Sequence, residues 1–120
     1  MIDWREVRHF RRAEFGHSGD VEPCPELVRI LDEAREAVGR PFVINSGIRT
    51  PERNRAVGGS ETSSHLTGHA VDIRCPDVRF RFLALRALID AGAERIGIGR
   101  TFIHVDTDPG KSQEVIWLYD

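Results

Sequence analysis

The pattern of apolar and polar positions along the chain predicts two amphipathic helices. In the first, apolar residues recur at steps of three and four positions, at Leu27, Ile30, Leu31, Ala34 and Val38. Pro25 stands near the start of this stripe and Gly39 just past its end, as expected of residues that begin and end helices. A second stripe of the same kind, closed by Gly92, contains Phe82, Leu85, Leu88 and Ile89.

Short apolar runs between and after these helices predict strands. They lie at 42–44, in a run ending near Ile73, and at 95–99, 101–106 and 115–119. A turn follows the first of them, and a short helix is predicted to begin at Pro51 with Thr50 as its N-cap. Helices mixed with hairpin-connected strands are typical of an α+β domain with a central, mostly antiparallel sheet.

Length and composition limit the possibilities further. A chain of 120 residues is predicted to form one domain over 1–120, with the charge-rich segment 1–20 as an N-terminal arm. Its net charge of -2, with both signs interspersed, provides no basic face for nucleic acid and no cationic stretch for a membrane surface. The first residues lack the apolar core of a signal peptide, so we expect synthesis in the cytoplasm. We also expect the protein to be a monomer.

One segment combines side chains that bind metals. His65 and Asp72 lie seven residues apart, around a glycine and ahead of a β-branched run. If residues 68–73 form a strand, Gly68, Ala70 and Asp72 share one face, and the two small residues leave room for a metal beside the carboxylate. His69 points to the other face, and we do not expect it to be a ligand.

The same alternation along 102–106 places Phe102, His104 and Asp106 on one face, with Ile103 and Val105 buried behind them. Two half-sites, each with a histidine and an aspartate, make a plausible mononuclear zinc centre. Three protein ligands with a fourth position left to water is the catalytic pattern, in which zinc lowers the pKa of water to about 7 and polarises a carbonyl. The alternative is a set of unrelated surface residues, because a histidine seven residues before an aspartate is common by chance.

Three motifs resemble those of one family. The segment Ser63–Ile73 resembles the S-x-H-x-x-G-x-A-x-D signature of the zinc D-Ala-D-Ala carboxypeptidases, peptidase family M15. Residues 44–54 are similar to the family's upstream S-G-x-R-[ST]-x-x-x-N segment, and 102–106 to the segment carrying its last metal ligand. The order and spacing agree over about residues 10–108. The resemblance implies the fold that this family shares with the hedgehog signalling domain, and the compact subgroup that phages and prophages often encode.

The resemblance also implies roles for particular residues. His65, Asp72 and His104 fall on the three zinc ligands of the family. Arg49 falls on the arginine that engages the substrate near the reacting carbonyl or its carboxylate, a task that suits a guanidinium group; a surface arginine at a helix start is the alternative. Ser63 falls on the motif serine, which orients a ligand, binds the substrate backbone or serves only as a turn residue.

One position departs from the family pattern. Many members carry an acid three residues before the last histidine, as the general base that takes a proton from the attacking water, and here that position is Thr101. Asp106 is the best local substitute, because strand geometry places it on the His104 face. Its other possible role is to orient His104 through a hydrogen bond.

These expectations lead to two functions of different classes. The first is a zinc metallopeptidase that hydrolyses a peptide bond in peptidoglycan stem peptides, as a D-Ala-D-Ala carboxypeptidase or an endolysin that reaches the cell wall after release. The second is a non-catalytic, zinc-containing module of a phage particle or a cell-wall-binding protein, which Thr101 favours. A purely structural polar site in a small fold is a third interpretation.

Overall fold

A five-stranded sheet forms the centre of the protein in a computed structural model that describes all residues from Met1 to Asp120. The strands are β1 (Ile44–Ser46), β2 (Ala70–Arg74), β3 (Arg95–Ile98), β4 (Phe102–Asp106) and β5 (Val115–Leu118). Their order across the sheet is β1-β2-β4-β3-β5. Neighbouring strands are antiparallel except for β3 and β5, which run parallel.

Two helices, α1 (Pro25–Val38) and α3 (Val78–Asp90), pack against each other and cover one face of this sheet. The side chains between them and the sheet form the hydrophobic core, whose fully buried members include Leu27, Leu31, Val71, Ile73, Leu88, Ile96 and Ile103. The short helix α2 (Pro51–Ala56) and a 3-10 turn (Ser64–Thr67) lie on the way from β1 to β2. The predicted α+β class with a mostly antiparallel sheet is confirmed.

The helix boundaries follow the sequence signals closely. Pro25 is the first residue of α1, and Gly39 ends the helix with a left-handed φ of 72°. Thr50 caps α2 as predicted, because its Oγ1 accepts a hydrogen bond from the Arg53 N–H at 3.0 Å. No helix in the structure is both long enough and apolar enough to cross a lipid bilayer.

The predicted apolar face of the second helix was confirmed for two residues and wrong for two. Leu88 is fully buried and Leu85 packs against the core, whereas Phe82 is 64% exposed and Ile89 is 50% exposed. The buried residues of α3 are Phe80, Ala84, Ala87 and Leu88. The buried face of α3 therefore combines two large side chains, Phe80 and Leu88, with two alanines, and is rotated away from Phe82 and Ile89.

The first strand also lies later than predicted. Phe42 precedes β1 and is buried in the core, where its ring packs edge-on against that of Phe80, with the ring centroids 5.5 Å apart. The strand itself, Ile44–Ser46, begins at the last residue of the predicted run and continues into two residues assigned to a turn. Its pairing with β2 is irregular between Ile44 and Ser46. At the N-terminus, Phe10 and Phe15 are buried and join the core.

Candidate metal centre

The sheet register brings a carboxylate and a histidine side by side. Strands β2 and β4 are antiparallel neighbours, and Asp72 lies directly opposite His104. Directly paired residues project to the same face, here the face that α1 and α3 leave uncovered. Ile103 and Val105 point into the core on the other side, as the alternation predicted.

A second histidine reaches this face from outside the sheet. His65 lies in the 3-10 turn that precedes β2, and it is buried. One ligand atom each from His65, Asp72 and His104 lies within 4.8 Å of the others. The structure therefore brings together the three side chains that the resemblance implied as zinc ligands.

Gly68 connects the turn to the strand in a way that the sequence analysis did not anticipate. It lies before β2, with a left-handed φ of 78°, and not in the strand beside Asp72. A Cβ atom at this position would overlap the carbonyl oxygen of Glu22. The role first assigned to Gly68, clearing the metal face, was wrong, because the glycine is needed for a tight turn; Ala70 does lie on the Asp72 face, opposite Asp106.

The hydrogen bonds of the two histidines define which ring nitrogen faces Asp72. His65 Nδ1 lies 2.8 Å from the Gly47 carbonyl oxygen, and His104 Nε2 lies 2.7 Å from Asp106 Oδ2. Because both partners accept hydrogen bonds, we assign protons to these outer nitrogens. The inner nitrogens then direct lone pairs toward Asp72 Oδ1, at 3.4 Å from His65 Nε2 and 2.9 Å from His104 Nδ1. Such an arrangement is stable only with positive charge between the groups, from protons or a metal cation.

These atoms fit a zinc ion. Two ligands of a tetrahedral zinc with bonds of about 2.0–2.2 Å lie about 3.3–3.6 Å apart. The distances of 3.4 Å and 2.9 Å to Asp72 Oδ1 are near this spacing, and the ligand atoms of all three residues lie within 4.8 Å of one another. Two imidazole nitrogens and one carboxylate oxygen, with one side open to a cleft, are a donor set typical of catalytic zinc.

The electrostatics of the cluster also favour a cation. Burial acts to raise the pKa of Asp72, but hydrogen bonds with His104 and His65 hold it well below its usual range. Burial acts to lower the pKa of His104, but the Asp106 and Asp72 carboxylates raise it above its ordinary value. The site thus keeps its carboxylates ionised and stabilises positive charge on the imidazole side.

Arg49 is bound to the same cluster. Its guanidinium group donates to Asp72 Oδ2 at 3.2 Å, to Ser46 Oγ at 2.9 Å and to Asn54 Oδ1 at 3.3 Å. The side chain is only 14% exposed and lines the cleft, so it is not a solvent-facing residue at the start of a helix. It holds the oxygen of Asp72 that faces away from the histidines.

Asp106 is enclosed on all sides. Its side chain is 1% exposed, and its Oδ1 accepts hydrogen bonds from Arg95 Nε at 2.6 Å and from the Asp108 N–H at 3.1 Å. Its Oδ2 accepts from His104 Nε2. Burial acts to raise the pKa of Asp106, but His104 and Arg95 lower it overall. Both oxygens therefore have partners within the protein.

Three other residues singled out in the sequence lie at or beyond the edge of the site. Ser63 lines the cleft and caps the 3-10 turn, with its Oγ accepting from the His65 N–H at 3.3 Å. Thr101 is exposed and does not line the cleft. His69 Nδ1 is hydrogen-bonded to Thr67 Oγ1 at 2.8 Å and is not part of the cluster.

The cleft above the cluster has a volume of about 430 Å³ and an aromatic wall that the sequence analysis largely missed. Phe102 was placed on this face, but Trp117 and Tyr119 join it because β5 pairs with β3. The signal was present in the sequence, since alternate positions of the last strand are aromatic and Gly97 leaves space beneath them. Burial raises the pKa of Tyr119, against an opposing interaction with Trp117, so the phenol is protonated at neutral pH.

Two basic residues on the cleft wall were also missed. The Arg95 guanidinium lies 4.8 Å from the ring centre of Trp117 while it binds Asp106. Lys111 Nζ donates to the Thr62 carbonyl oxygen at 2.7 Å and to Ser64 Oγ at 2.8 Å. Both side chains therefore hold the walls of the cleft together.

Comparison with known proteins gives two matches. Residues 7–106 match the family model described as Peptidase M15. A segment of 70 residues is 36% identical to the zinc D-Ala-D-Ala carboxypeptidase of Streptomyces albus G. That segment amounts to 58% of this chain but only 28% of the relative's length.

Proposed function

The chain belongs to the peptidase M15 family, and on that premise we propose that it is a zinc-dependent peptidase acting on peptidoglycan stem peptides. The observation that carries the proposal is the cluster of His65, Asp72 and His104 at the floor of an open cleft. A relative named zinc D-Ala-D-Ala carboxypeptidase supports a carboxypeptidase or a closely related activity on the same peptides. The reaction is addition of water across a peptide bond, giving a carboxylic acid and an amine.

The proposed ligand atoms are His65 Nε2, Asp72 Oδ1 and His104 Nδ1. Zinc bound by such a set lowers the pKa of water to about 7 and polarises the carbonyl to be attacked. Arg49 keeps Asp72 oriented through its 3.2 Å contact and places a permanent positive charge beside the reacting carbonyl or a substrate carboxylate.

Asp106 is proposed to position His104 and not to act as the base. Its Oδ2 fixes the Nε2 proton of His104, which leaves Nδ1 free to bind a metal. A base must reach the attacking water, whereas the Asp106 carboxylate is buried and already held by Arg95.

The cleft suits a short peptide. A volume of about 430 Å³ is within the range of sites for small ligands, and its lining combines aromatic rings with a few polar groups. Ser63 lies at its rim, where its hydroxyl group can contact the backbone of the peptide. We propose that the peptide is bound by a single copy of the chain.

A non-catalytic zinc module is the second candidate, and one observation favours it. Asp72 and Asp106 are the only carboxylates that line the cleft, and both are already hydrogen-bonded to His104. No acid stands at the position of Thr101. A protein of this kind would bind zinc and cell-wall peptides without cleaving them.

The deciding experiment measures zinc content by mass spectrometry and then the release of D-alanine from a muropeptide with a complete stem peptide. We expect one zinc per chain and cleavage by the wild type, with both lost in His65→Ala. His69→Ala is the matched control, because His69 lies on the adjoining segment but outside the cluster, and it should retain both properties.

Each other outcome has a defined meaning. Stoichiometric zinc with no cleavage of any stem peptide would replace the peptidase with the binding module. Cleavage that survives His65→Ala would refute the metal mechanism altogether.

A further inference from the structure

We propose that the hydroxyl group of Tyr119 is a catalytic hydrogen-bond donor to the carbonyl oxygen of the peptide bond under attack. This inference rests on the proposed function, since it assigns a role within that reaction. It comes from the position of the Tyr119 ring in the wall of the cleft and from the packing that holds the ring in place.

The backbone of Tyr119 continues the pairing of β5 with β3. Its N–H donates to the Ile98 carbonyl oxygen at 2.9 Å. Two residues earlier, Trp117 lies opposite Gly97, which in turn lies opposite His104 on β4. Since side chains alternate along a strand, Tyr119 projects to the same face as Trp117 and His104.

The ring of Tyr119 is fixed beside the metal cluster. A Cβ atom on Gly97 would lie 2.5 Å from Tyr119 Cε2, so the ring rests directly on the glycine backbone. The Phe102 ring lies against it with centroids 5.1 Å apart, and the His104 ring follows at 6.2 Å. A donor held this firmly requires little reorganisation when charge develops in the substrate.

The Tyr119 side chain is also accessible to a substrate in the cleft. Tyr119 is 40% exposed and lines the cleft. A phenol hydroxyl group is a hydrogen-bond donor, and its place in the wall of the cleft allows it to donate to a bound substrate.

The three charged donors that line the cleft each bind a group of the protein. Arg49 binds Asp72, Arg95 binds Asp106, and Lys111 binds the loop on the opposite wall through Thr62. A carbonyl oxygen that acquires negative charge during water addition needs a donor aimed at it. Removing one such donor from an enzyme typically lowers kcat about 10²–10³-fold.

The test compares wild type with Tyr119→Phe, which removes only the hydroxyl group. We expect kcat to fall about 10²-fold or more with KM and zinc content nearly unchanged. The affinity for a phosphinate analogue of the dipeptide, which carries tetrahedral anionic oxygens, should fall by a similar factor. Leu118→Ala is the control on the same strand, because Leu118 is 78% exposed and does not line the cleft; it should leave all these values unchanged.

The outcomes separate this inference from the proposed function. Cleavage by the wild type with an unchanged kcat in Tyr119→Phe would overturn the role of Tyr119 and leave the peptidase intact. If the wild type cleaves nothing, the proposed function fails, and equal phosphinate affinities of the two proteins would overturn the inference as well. A loss of zinc from Tyr119→Phe would show that Tyr119 acts on the metal site and not on the substrate.

Discussion

At the scale of single residues, each histidine of the cluster is oriented by a hydrogen bond on the side away from Asp72. The Gly47 carbonyl holds His65, and the Asp106 carboxylate holds His104. These two bonds fix the tautomers, so both rings direct a lone pair to the same point. The second bond differs from the first because it uses a charged acceptor, which increases the basicity of the imidazole.

Replacing Asp106 with alanine should therefore weaken zinc binding about 10–100-fold, as loss of an orienting carboxylate usually does. Isothermal titration against a competing chelator measures this change. Thr101→Ala serves as the control, because the exposed Thr101 does not line the cleft. Unchanged zinc affinity with abolished cleavage would instead identify Asp106 as the general base.

Single residues of the site were predictable where the information is local. Alternation within one strand is sufficient to place His104 and Asp106 on a common face. Tyr119 and Trp117 could not be placed in the same way, because they reach the cleft only through the parallel pairing of β5 with β3. The sequence of the segment between these strands does not indicate which residues pair. Their contribution to the site depends on long-range contacts.

At the scale of elements, the turn between His65 and β2 controls the geometry of the site. Gly68 ends the 3-10 turn with a left-handed φ and packs against the Glu22 carbonyl. His65 and Asp72, two of the proposed metal ligands, lie on either side of Gly68, so the conformation of this glycine affects the distance between them. The conformation required is one that only glycine adopts without strain.

Gly68→Ala should destabilise the protein by about 2–5 kcal/mol, as the sum of left-handed backbone strain and overpacking. Gly39→Ala is a matched control, because Gly39 also has a left-handed φ, of 72°, but no atom lies near its Cβ position. It should cost only about 1–2 kcal/mol. Urea denaturation compares the two, and equal losses would show that the contact with Glu22 is unimportant.

Among the elements themselves, the sequence predicted the existence and type of most but misjudged two details. The apolar stripe of α3 was assigned to Phe82 and Ile89 as well as to Leu88, whereas the buried face includes Phe80, Ala84 and Ala87. The first strand was assigned to its most apolar residues, but Phe42 is used as a core anchor ahead of β1. Both errors arise because packing partners, not hydrophobicity alone, select a buried face.

At the scale of the whole molecule, the cluster links stability to pH. The lowered pKa of Asp72 contributes stability above about pH 4, which is lost as pH falls through its folded-state pKa. The raised pKa of His104 contributes stability that is complete below about pH 6.5 and is lost as pH rises through its folded-state pKa. Without zinc, these two groups together favour the range between about pH 4 and pH 6.5.

Zinc should instead stabilise the protein more at high pH than at low pH, because it binds the deprotonated histidines. In thermal unfolding at pH 7.5, zinc at 100 times its Kd should add about 2.7 kcal/mol, and a chelator should remove this gain. At pH 5 the gain should be smaller, since the pKa of His104 is raised and protons compete with zinc for its imidazole group. His65→Ala should show no dependence on zinc at either pH; the same shift in this variant would place the metal elsewhere.

The pairing of Asp72 with His104 across β2 and β4 has a consequence for folding kinetics. The two residues are far apart in sequence and become neighbours only when these strands adopt their native register. A slip of one residue would send one of the two side chains into the core. A zinc ion held by all three proposed ligands would therefore require this non-local pairing. Where the pairing forms after the folding transition state, the metal would lengthen the lifetime of the native state without accelerating folding.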